Sequence, residues 1–345
     1  MKWPLNRGFN NQKVPQRNYV SGFHRSFSHS TSHAAKIIFC FICTGMFLSG
    51  DGDRLKTTEA SASSHSLAAR VDRTAAKIGV RILDRNFLGS GFIIHKTSNE
   101  YIVVTNQHVL RAGEAPYTVE TFDGSTYRAE VATDMNAVSD RYDLAVLKFQ
   151  ADTEYQKAKI GSSLNLEVGD PVFAAGFPYQ EFSSNESSVV DKESRVGNLR
   201  QLAFQPGRIT VILDRALEEG YQIGYTNNVK KGMSGGPLLN EKGEVVGVNG
   251  KHAYPLWESP EIYQDGTEPC SALQELITRS SLAIPIEKSI RTNTLLQEVA
   301  PSAKTDYSAK SDSNAAKSSL VARMQLTAES TLMQCREESA YGSGK

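Results

Sequence analysis

Three residues that could form a hydrolytic centre occur in the order His, Asp, Ser. His108 ends the segment "VVTNQH", Asp143 directly precedes the apolar run "LAVLKF", and Ser234 lies in the glycine-rich segment "KGMSGGP". A serine hydroxyl becomes a good nucleophile only when a neighbouring base removes its proton. A histidine can be that base, and a carboxylate can fix its tautomer and stabilise the imidazolium. Acyl transfer is therefore the chemistry these residues could perform if the fold brings them together.

The segment around Ser234 fits both the Gly-x-Ser-x-Gly turn of α/β-hydrolases and the Gly-x-Ser-Gly-Gly loop of trypsin-like proteases. An α/β-hydrolase needs a long helix after the serine and a histidine late in the chain. Here Pro237 follows closely, and two apolar runs flank a turn at Gly243, which predicts a β-hairpin. The one histidine after Ser234 is His252, just beyond that hairpin. These neighbours exclude the hydrolase pattern.

The segments around all three residues resemble those of the trypsin-like serine proteases. "VVTNQHVL" resembles their histidine segment, with Asn106-Gln107 in place of the usual small pair, and "YDLAVLKF" resembles their aspartate strand. "GSGFII" and "GYQIGYTNNVKKGMSGGPLLN" followed by "GEVVGVNGKHAYPLW" extend the likeness to bacterial, cyanobacterial-type domains. The resemblance covers about residues 71–290, with the three residues in the family's order at intervals of 35 and 91 residues.

The resemblance implies an all-β fold of two Greek-key six-stranded barrels with the active site between them. It implies a serine endopeptidase in which His108 is the general base, Asp143 orients it and Ser234 is the nucleophile. The backbone N–H groups of Gly232 and Ser234 would form the oxyanion hole. The substrate-binding residues that it implies are Asn228, near the base of the P1 pocket, Val248, Asn249 and Gly250, which would pair with the substrate backbone, and His252.

Two features depart from the digestive members of that family. Met233 stands where they carry an aspartate, and their disulfides are absent. Activation by N-terminal clipping is therefore not implied. No acidic residue occupies position 228, which argues against a strict preference for Lys or Arg at P1. Whether His252 favours an acidic P1 residue or is a surface histidine stays open.

The surrounding sequence favours a β-rich fold. Short runs of β-branched and aromatic residues recur between Gly, Asn and Asp, as expected for barrels or sandwiches. Asp143 directly precedes such a run, where burying a charge is costly without a hydrogen-bonding partner. We predict eleven strands within residues 77–83, 89–95, 101–106, 117–122, 125–133, 144–149, 170–178, 207–213, 220–227, 235–240 and 244–250.

Each of the three residues alone also has an ordinary interpretation: a turn serine, a capping histidine and an aspartate at the start of a strand. Their joint order favours an enzyme. The alternative is a catalytically inactive trypsin-like fold that acts as a protein-binding module, since a fold does not determine a function.

Residues 1–50 are predicted to be a basic head and a signal peptide or membrane anchor. Residues 1–36 carry six basic residues and no acidic one, and the twelve-residue apolar run 37–48 follows. This run is shorter than the about 20 residues that span a bilayer but suits a secretory signal. Cleavage, an uncleaved anchor and an organellar transit peptide all stay open. We expect a periplasmic or extracellular location, with membrane contact only through this segment if it is uncleaved.

The remaining chain is predicted to comprise a linker (51–70), the trypsin-like domain (71–290) and a low-complexity, disordered tail (291–345). A segment at 270–280 has a helical pattern, and 281–289 fits a last strand or the start of a helix. In the tail, a mobile segment is favoured over a short amphipathic helix, although four apolar residues recur at four-residue spacing: Leu320, Met324, Ala328 and Leu332.

Cysteines and charge constrain the partners. Of four cysteines, two lie in the apolar run; Cys270 and Cys335 remain, and whether they pair is open. The fold is not expected to depend on a disulfide framework.

The formal net charge is zero, with no basic stripe outside the head, which argues against nucleic acid as a partner. No calcium-loop spacing or nucleotide loop is present, so we expect no cofactor or metal, and the partner is a protein or peptide substrate. The sequence does not determine the oligomeric state.

Overall fold

The computed structural model describes residues 66–132, 141–179, 201–254, 260–292, 296 and 319–342. The predicted basic head, the apolar run 37–48, most of the linker and the low-complexity stretch 300–318 lie outside these residues. Those predictions therefore remain expectations. None of the described helices is long and apolar enough to cross a membrane.

The first half of the described chain forms a closed barrel. Its six antiparallel strands are hydrogen-bonded in the order β1-β2-β3-β6-β5-β4, and β1 pairs with β4 to close the ring. A bulge lies between Ile93 and His95, where β2 pairs with β3. The strands are β1 Gly79–Leu83, β2 Phe87–Thr97, β3 Glu100–Thr105, β4 Tyr117–Glu120, β5 Thr126–Val131 and β6 Ala145–Gln150.

The second half forms another barrel with one additional strand. Six strands follow the order β11-β8-β9-β10-β13-β12, and β11 pairs with β12 to close the ring, while β7 adds to β12 in parallel. The all-β, double-barrel prediction and the hairpin after Ser234 are thus confirmed. The strands are β7 Lys159–Ile160, β8 Pro171–Gly176, β9 Ala203–Ile212, β10 Ile223–Tyr225, β11 Pro237–Leu239, β12 Glu244–Lys251 and β13 Ser281–Pro285.

Alternating side chains of the central strands enter two different apolar clusters. In β2, Ile93 packs inside the first barrel, whereas Phe92 and Ile94 enter a cluster shared with the second barrel. In β3, Val103 and Val104 divide in the same way. Successive residues of a strand point to opposite faces, so a strand buried on both faces is continuously apolar. This explains the uninterrupted runs "GFII" and "YIVV" near the candidate histidine.

The described residues include five α-helices beside the barrels: α1 66–78, α2 Gln107–Arg111, α3 Ser271–Thr278, α4 Ile286–Thr292 and α5 Ser319–Gly342. Helix α1 corrects the prediction of a linker up to residue 70 followed by a β-region from residue 71. Val71, Ala75 and Ile78 recur at helical spacing and are all fully buried. One apolar helical face accounts for the segment, and β1 begins only at Gly79.

The C-terminal segment also differs from the mobile interpretation, because α5 is helical and joined to the domain. Cys335 in α5 forms a disulfide with Cys270, just before α3, with a Cα–Cα distance of 5.4 Å. The Gln325 side-chain amide donates to the Val168 carbonyl at 3.3 Å. The disulfide and this hydrogen bond join α5 to residues far from it in sequence. The apolar pattern of α5 itself is weak, so its local sequence does not indicate these contacts.

Truncating a core side chain of the first barrel should destabilise the protein. Leu147 in β6 is fully buried, so Leu147→Ala should lower the free energy of unfolding by about 2–5 kcal/mol. Leu164, which is 83 % exposed, is the matched control, and Leu164→Ala should change little. Urea unfolding measures both variants; equal midpoints would contradict the described core.

Candidate active site

The candidate residues lie where the two barrels meet. His108 is in α2, which directly follows β3, and Asp143 comes shortly before β6 in the same barrel. Ser234 belongs to the second barrel, in the turn between β10 and β11. The fold thus brings one histidine and one carboxylate from the first barrel to a serine loop of the second.

His108 and Asp143 make two hydrogen bonds with each other. The backbone N–H of His108 donates to Oδ1 of Asp143 at 2.8 Å, and its ring Nδ1 lies 2.5 Å from Oδ2. The Asp143 side chain is 1 % exposed, whereas that of His108 is 42 % exposed. A hydrogen bond at Nδ1 leaves Nε2 as the nitrogen that can accept a proton. The imidazole is therefore oriented by a buried carboxylate and remains reachable by a reacting group.

Further contacts fix the backbone and carboxylate of Asp143. The side chain of Asn106 donates to its carbonyl at 2.7 Å, and its own N–H donates to the Glu219 carbonyl at 2.8 Å. The Tyr221 hydroxyl donates to Oδ2 at 2.5 Å. The sequence marks Asn106 only as a departure from the family and gives no sign of the role of Tyr221. A buried charge with this many donors meets the requirement for compensating hydrogen bonds.

The Ser234 hydroxyl is hydrogen-bonded to a backbone carbonyl and not to the histidine. Its Oγ donates to the Gly250 carbonyl at 3.0 Å, and within the described residues no hydrogen bond joins it to His108. Such contacts are often formed only when substrate is bound. The structure therefore brings His108 and Asp143 into contact and places Ser234 in the adjoining loop with its hydroxyl directed elsewhere.

Glycines determine the shape of the loop that carries Ser234. Gly232 and Gly235 have φ of +92° and +83°, in the left-handed region that favours glycine. A Cβ at Gly232 would also lie 2.7 Å from the Phe177 carbonyl oxygen. In the described part of the chain, neither Gly232 nor Ser234 has a hydrogen-bonded acceptor for its backbone N–H. Among the residues that the structure describes, no protein group therefore accepts from either predicted oxyanion donor.

Ser90 of β2 connects this loop to the first barrel. Its N–H donates to the Ser234 carbonyl at 2.9 Å, and its Oγ donates to the Gly232 carbonyl at 2.7 Å. The same Oγ accepts from the Phe177 N–H at 2.7 Å. Ser90 is fully buried. The "GSGF" motif, which belongs to the family resemblance, therefore contains a residue that joins the two barrels.

Met233 is fully buried in the apolar core of the second barrel. Its sulfur accepts from the Lys230 N–H at 3.4 Å, and its N–H donates to the Lys230 carbonyl at 3.0 Å. The loop is thus anchored by an apolar side chain at the position where digestive enzymes carry an aspartate.

The predicted substrate-binding residues are unequally placed. Val248 and Asn249 are fully buried, and their backbones already pair with β13 on one side and with Pro237 or Gly236 on the other. The expectation that they pair with a substrate backbone is therefore wrong, because no strand edge remains there. The Asn249 amide donates to the Ala175 and Pro237 carbonyls at 3.1 Å each, which makes it a structural residue.

Gly250, Asn228 and His252 remain compatible with substrate contact. Gly250 lies at an irregularity in the β12–β13 register, and its carbonyl already meets the candidate nucleophile. Asn228 and His252 are exposed, whereas the neighbouring Asn227 is buried and its amide donates to the Val172 carbonyl at 3.0 Å. The exposed side chain of Asn228 is available to a ligand, and it carries no negative charge.

A second carboxylate lies close to the histidine–aspartate pair. The Glu219 side chain is 45 % exposed, its backbone φ is +59°, and its Oε1 is 3.9 Å from Nη1 of Arg111. Burial, and after it the charge of Asp143, raises the pKa of Glu219 above its ordinary value. The guanidinium of Arg111 thus partly offsets the negative charges of Asp143 and Glu219 near the imidazole.

Comparisons with known proteins agree with this geometry. Residues 89–248 match the family model described as the trypsin-like peptidase domain. The chain is 32 % identical over 161 residues to Serine protease HTRA4 of Mus musculus, covering 47 % of this chain and 29 % of the relative. It is 34 % identical over 162 residues to Putative serine protease HhoA of Synechocystis, covering 47 % and 36 %. The chain thus spans about a third of the length of these curated relatives. The resemblance to trypsin-like serine proteases is confirmed.

Replacing two glycines of similar φ, one inside and one outside the serine loop, distinguishes steric overlap from backbone strain. Gly235→Ala would place a Cβ onto the Ser90 carbonyl oxygen and Thr105 Oγ1, so we expect a severe loss of stability. Gly266 has φ of +81°, and no atom lies within 4 Å of the point where a Cβ would stand, so Gly266→Ala should cost only about 1–2 kcal/mol of backbone strain. Thermal unfolding compares them, and equal losses would contradict the packing described for the loop.

Proposed function

We propose that this chain, which carries a trypsin-like peptidase domain, is a serine endopeptidase that hydrolyses peptide bonds through His108, Asp143 and Ser234. One observation carries the proposal: within the matched region, the His108 ring nitrogen lies 2.5 Å from the buried carboxylate of Asp143. A solvent-accessible imidazole held in one tautomer beside a glycine-rich serine loop is the arrangement that activates a hydroxyl nucleophile.

The reaction begins when the Ser234 hydroxyl turns from the Gly250 carbonyl towards Nε2 of His108. The histidine takes the hydroxyl proton as Oγ attacks the carbonyl carbon of the scissile bond. The resulting oxyanion accepts hydrogen bonds from the N–H groups of Gly232 and Ser234, whose peptides are already fixed by the loop. Preset donors of this kind typically contribute about 2.7–4 kcal/mol each to lowering the barrier.

The second half of the reaction uses the same groups. His108 passes its proton to the leaving amine, and the carbonyl carbon remains attached to Oγ as an acyl-enzyme. A water molecule then attacks this ester while His108 again acts as the base. Asp143 stabilises the positive imidazolium in both halves. The exposed face of His108 is consistent with this role, because both the amine and the water must reach its ring.

The buried Met233 supports a loop that does not depend on an ion pair with a newly formed N-terminus. Its apolar anchorage fixes the peptide before Ser234 without any charged partner. We therefore propose that activity does not require N-terminal clipping. From the sequence alone, we also propose that residues 1–50 direct export.

A catalytically inactive, protein-binding form of the same fold is the alternative. The observation behind this alternative is that the Ser234 hydroxyl is hydrogen-bonded to Gly250 and not to His108. A single covalent probe separates the two functions, because a fluorophosphonate reacts with an activated serine and not with an inactive binding module.

Ser234→Ala should abolish cleavage of a denatured protein and labelling by a fluorophosphonate, and His108→Ala should slow labelling by about 10⁶-fold. His95, another histidine of the first barrel, is the control: His95→Ala should label like the wild type. Activity-based labelling on gels measures all four proteins. Equal labelling of wild type and Ser234→Ala would disprove the nucleophile assignment, and no labelling of the wild type would favour the binding module.

The absence of an acidic group at position 228 leads to a prediction on specificity. Peptides with Lys or Arg at P1 should not be cleaved preferentially, because a buried or semi-buried cation would lack a counter-charge there. A mixture-based peptide library read by mass spectrometry gives the P1 profile. Exclusive cleavage after Lys or Arg would contradict the placement of Asn228 in this pocket.

A further inference from the structure

The hydroxyl of Tyr221 reaches the carboxylate that orients the histidine. It donates to Oδ2 of Asp143 at 2.5 Å, the same oxygen that lies 2.5 Å from Nδ1 of His108. Oδ1 is taken by the His108 backbone N–H at 2.8 Å. The two hydrogen bonds at Oδ2 therefore compete for, and share, the charge of one oxygen.

Tyr221 is built to keep its proton. Its side chain is fully buried, and burial, followed by the charge of Asp143, raises its pKa well above the ordinary value for a tyrosine. A phenol in this environment stays neutral wherever a histidine can titrate, so it acts only as a donor to the carboxylate.

The Tyr221 ring packs closely against the backbone at Gly250. A Cβ at Gly250 would overlap the Tyr221 hydroxyl and ring, so glycine is required beside it. The Gly250 carbonyl is also the group that accepts from Ser234 Oγ. Tyr221 therefore lies between Asp143 of the first barrel and the strand that contacts the nucleophile.

The charged groups around this point come from each neighbouring element. The exposed side chains of Arg111 in α2 and of Glu219 lie near the histidine–aspartate pair. The Lys251 ammonium of β12 lies 5.0 Å from the centroid of the Tyr221 ring and pairs with Glu261 at 2.8 Å. None of the hydrogen bonds of these four residues in the described structure goes to Oδ2 of Asp143, so Tyr221 has no substitute there.

We propose that Tyr221 is a positioning residue that acts through Asp143: its hydroxyl fixes the rotation of the carboxylate and withdraws part of its charge from His108. The proposal rests on the proposed peptidase function. It assigns to the second barrel a direct part in tuning the base, which otherwise belongs wholly to the first barrel.

Tyr221→Phe removes only the hydroxyl and provides the main test. We expect the rate of fluorophosphonate labelling to fall about tenfold, because a hydrogen bond to a charged group is lost. The pH of half-maximal labelling on the acid side should rise by about one unit, because the undivided charge of Asp143 stabilises the imidazolium more strongly.

Tyr225 supplies the matched control. It is also fully buried in the second barrel, but its hydroxyl donates to Asn249 Oδ1 at 2.9 Å and does not reach Asp143. Tyr225→Phe should lose comparable stability without moving the pH midpoint. If Tyr221→Phe matches Tyr225→Phe in both rate and midpoint while the wild type labels normally, the proposal for Tyr221 is wrong and the peptidase function stands. Failure of the wild type to label would overturn both.

Incorporation of 3-fluorotyrosine at position 221 tests the same point without deleting the group. The more acidic phenol donates a stronger hydrogen bond and draws more charge from Asp143, so the pH midpoint should move downward, opposite to the shift in Tyr221→Phe. An unchanged midpoint in this substituted protein would overturn the proposal even if Tyr221→Phe failed to fold.

Discussion

The burial of one negative charge at the junction of the two barrels governs the architecture of the site. Asp143 is almost wholly removed from solvent, and an unpaired carboxylate there would be prohibitively unfavourable. The donors that compensate it come from His108 of α2 and from Tyr221, in the segment that leads into β10. Because one donor belongs to the second barrel, satisfying this charge also fixes how the halves meet.

The serine loop obeys a related constraint. Its carbonyls need partners once they are buried, and Ser90 supplies two of them from the first barrel. Ser90 and the apolar Met233 thus hold the loop whose amide groups we propose as oxyanion donors. The chemistry proposed for Ser234 thus depends on residues that do not touch a substrate.

Sequence patterns predicted the features that depend on local chemistry. The apolar runs and the hairpin after Ser234 indicated a β-rich fold, and the resemblance carried by the segments around His108, Asp143 and Ser234 implied the double barrel that the structure has. They did not predict Tyr221, because nothing in its own neighbourhood signals a partner 78 residues away. The interpretation of Val248 and Asn249 as substrate-pairing residues failed for the same reason: the sequence shows a strand but not which of its edges are already occupied.

The small strand β7 has a consequence for how the molecule can move. The connection between the barrels is hydrogen-bonded along its length, with the Ala158 N–H donating to Ile93 of the first barrel and the Gly161 N–H donating to Val245 of the second. Only the step from Ala158 to Lys159 separates the part of the connection bonded to the first barrel from the part bonded to the second. The connection therefore offers little unbonded chain at this point about which one barrel could swing away from the other.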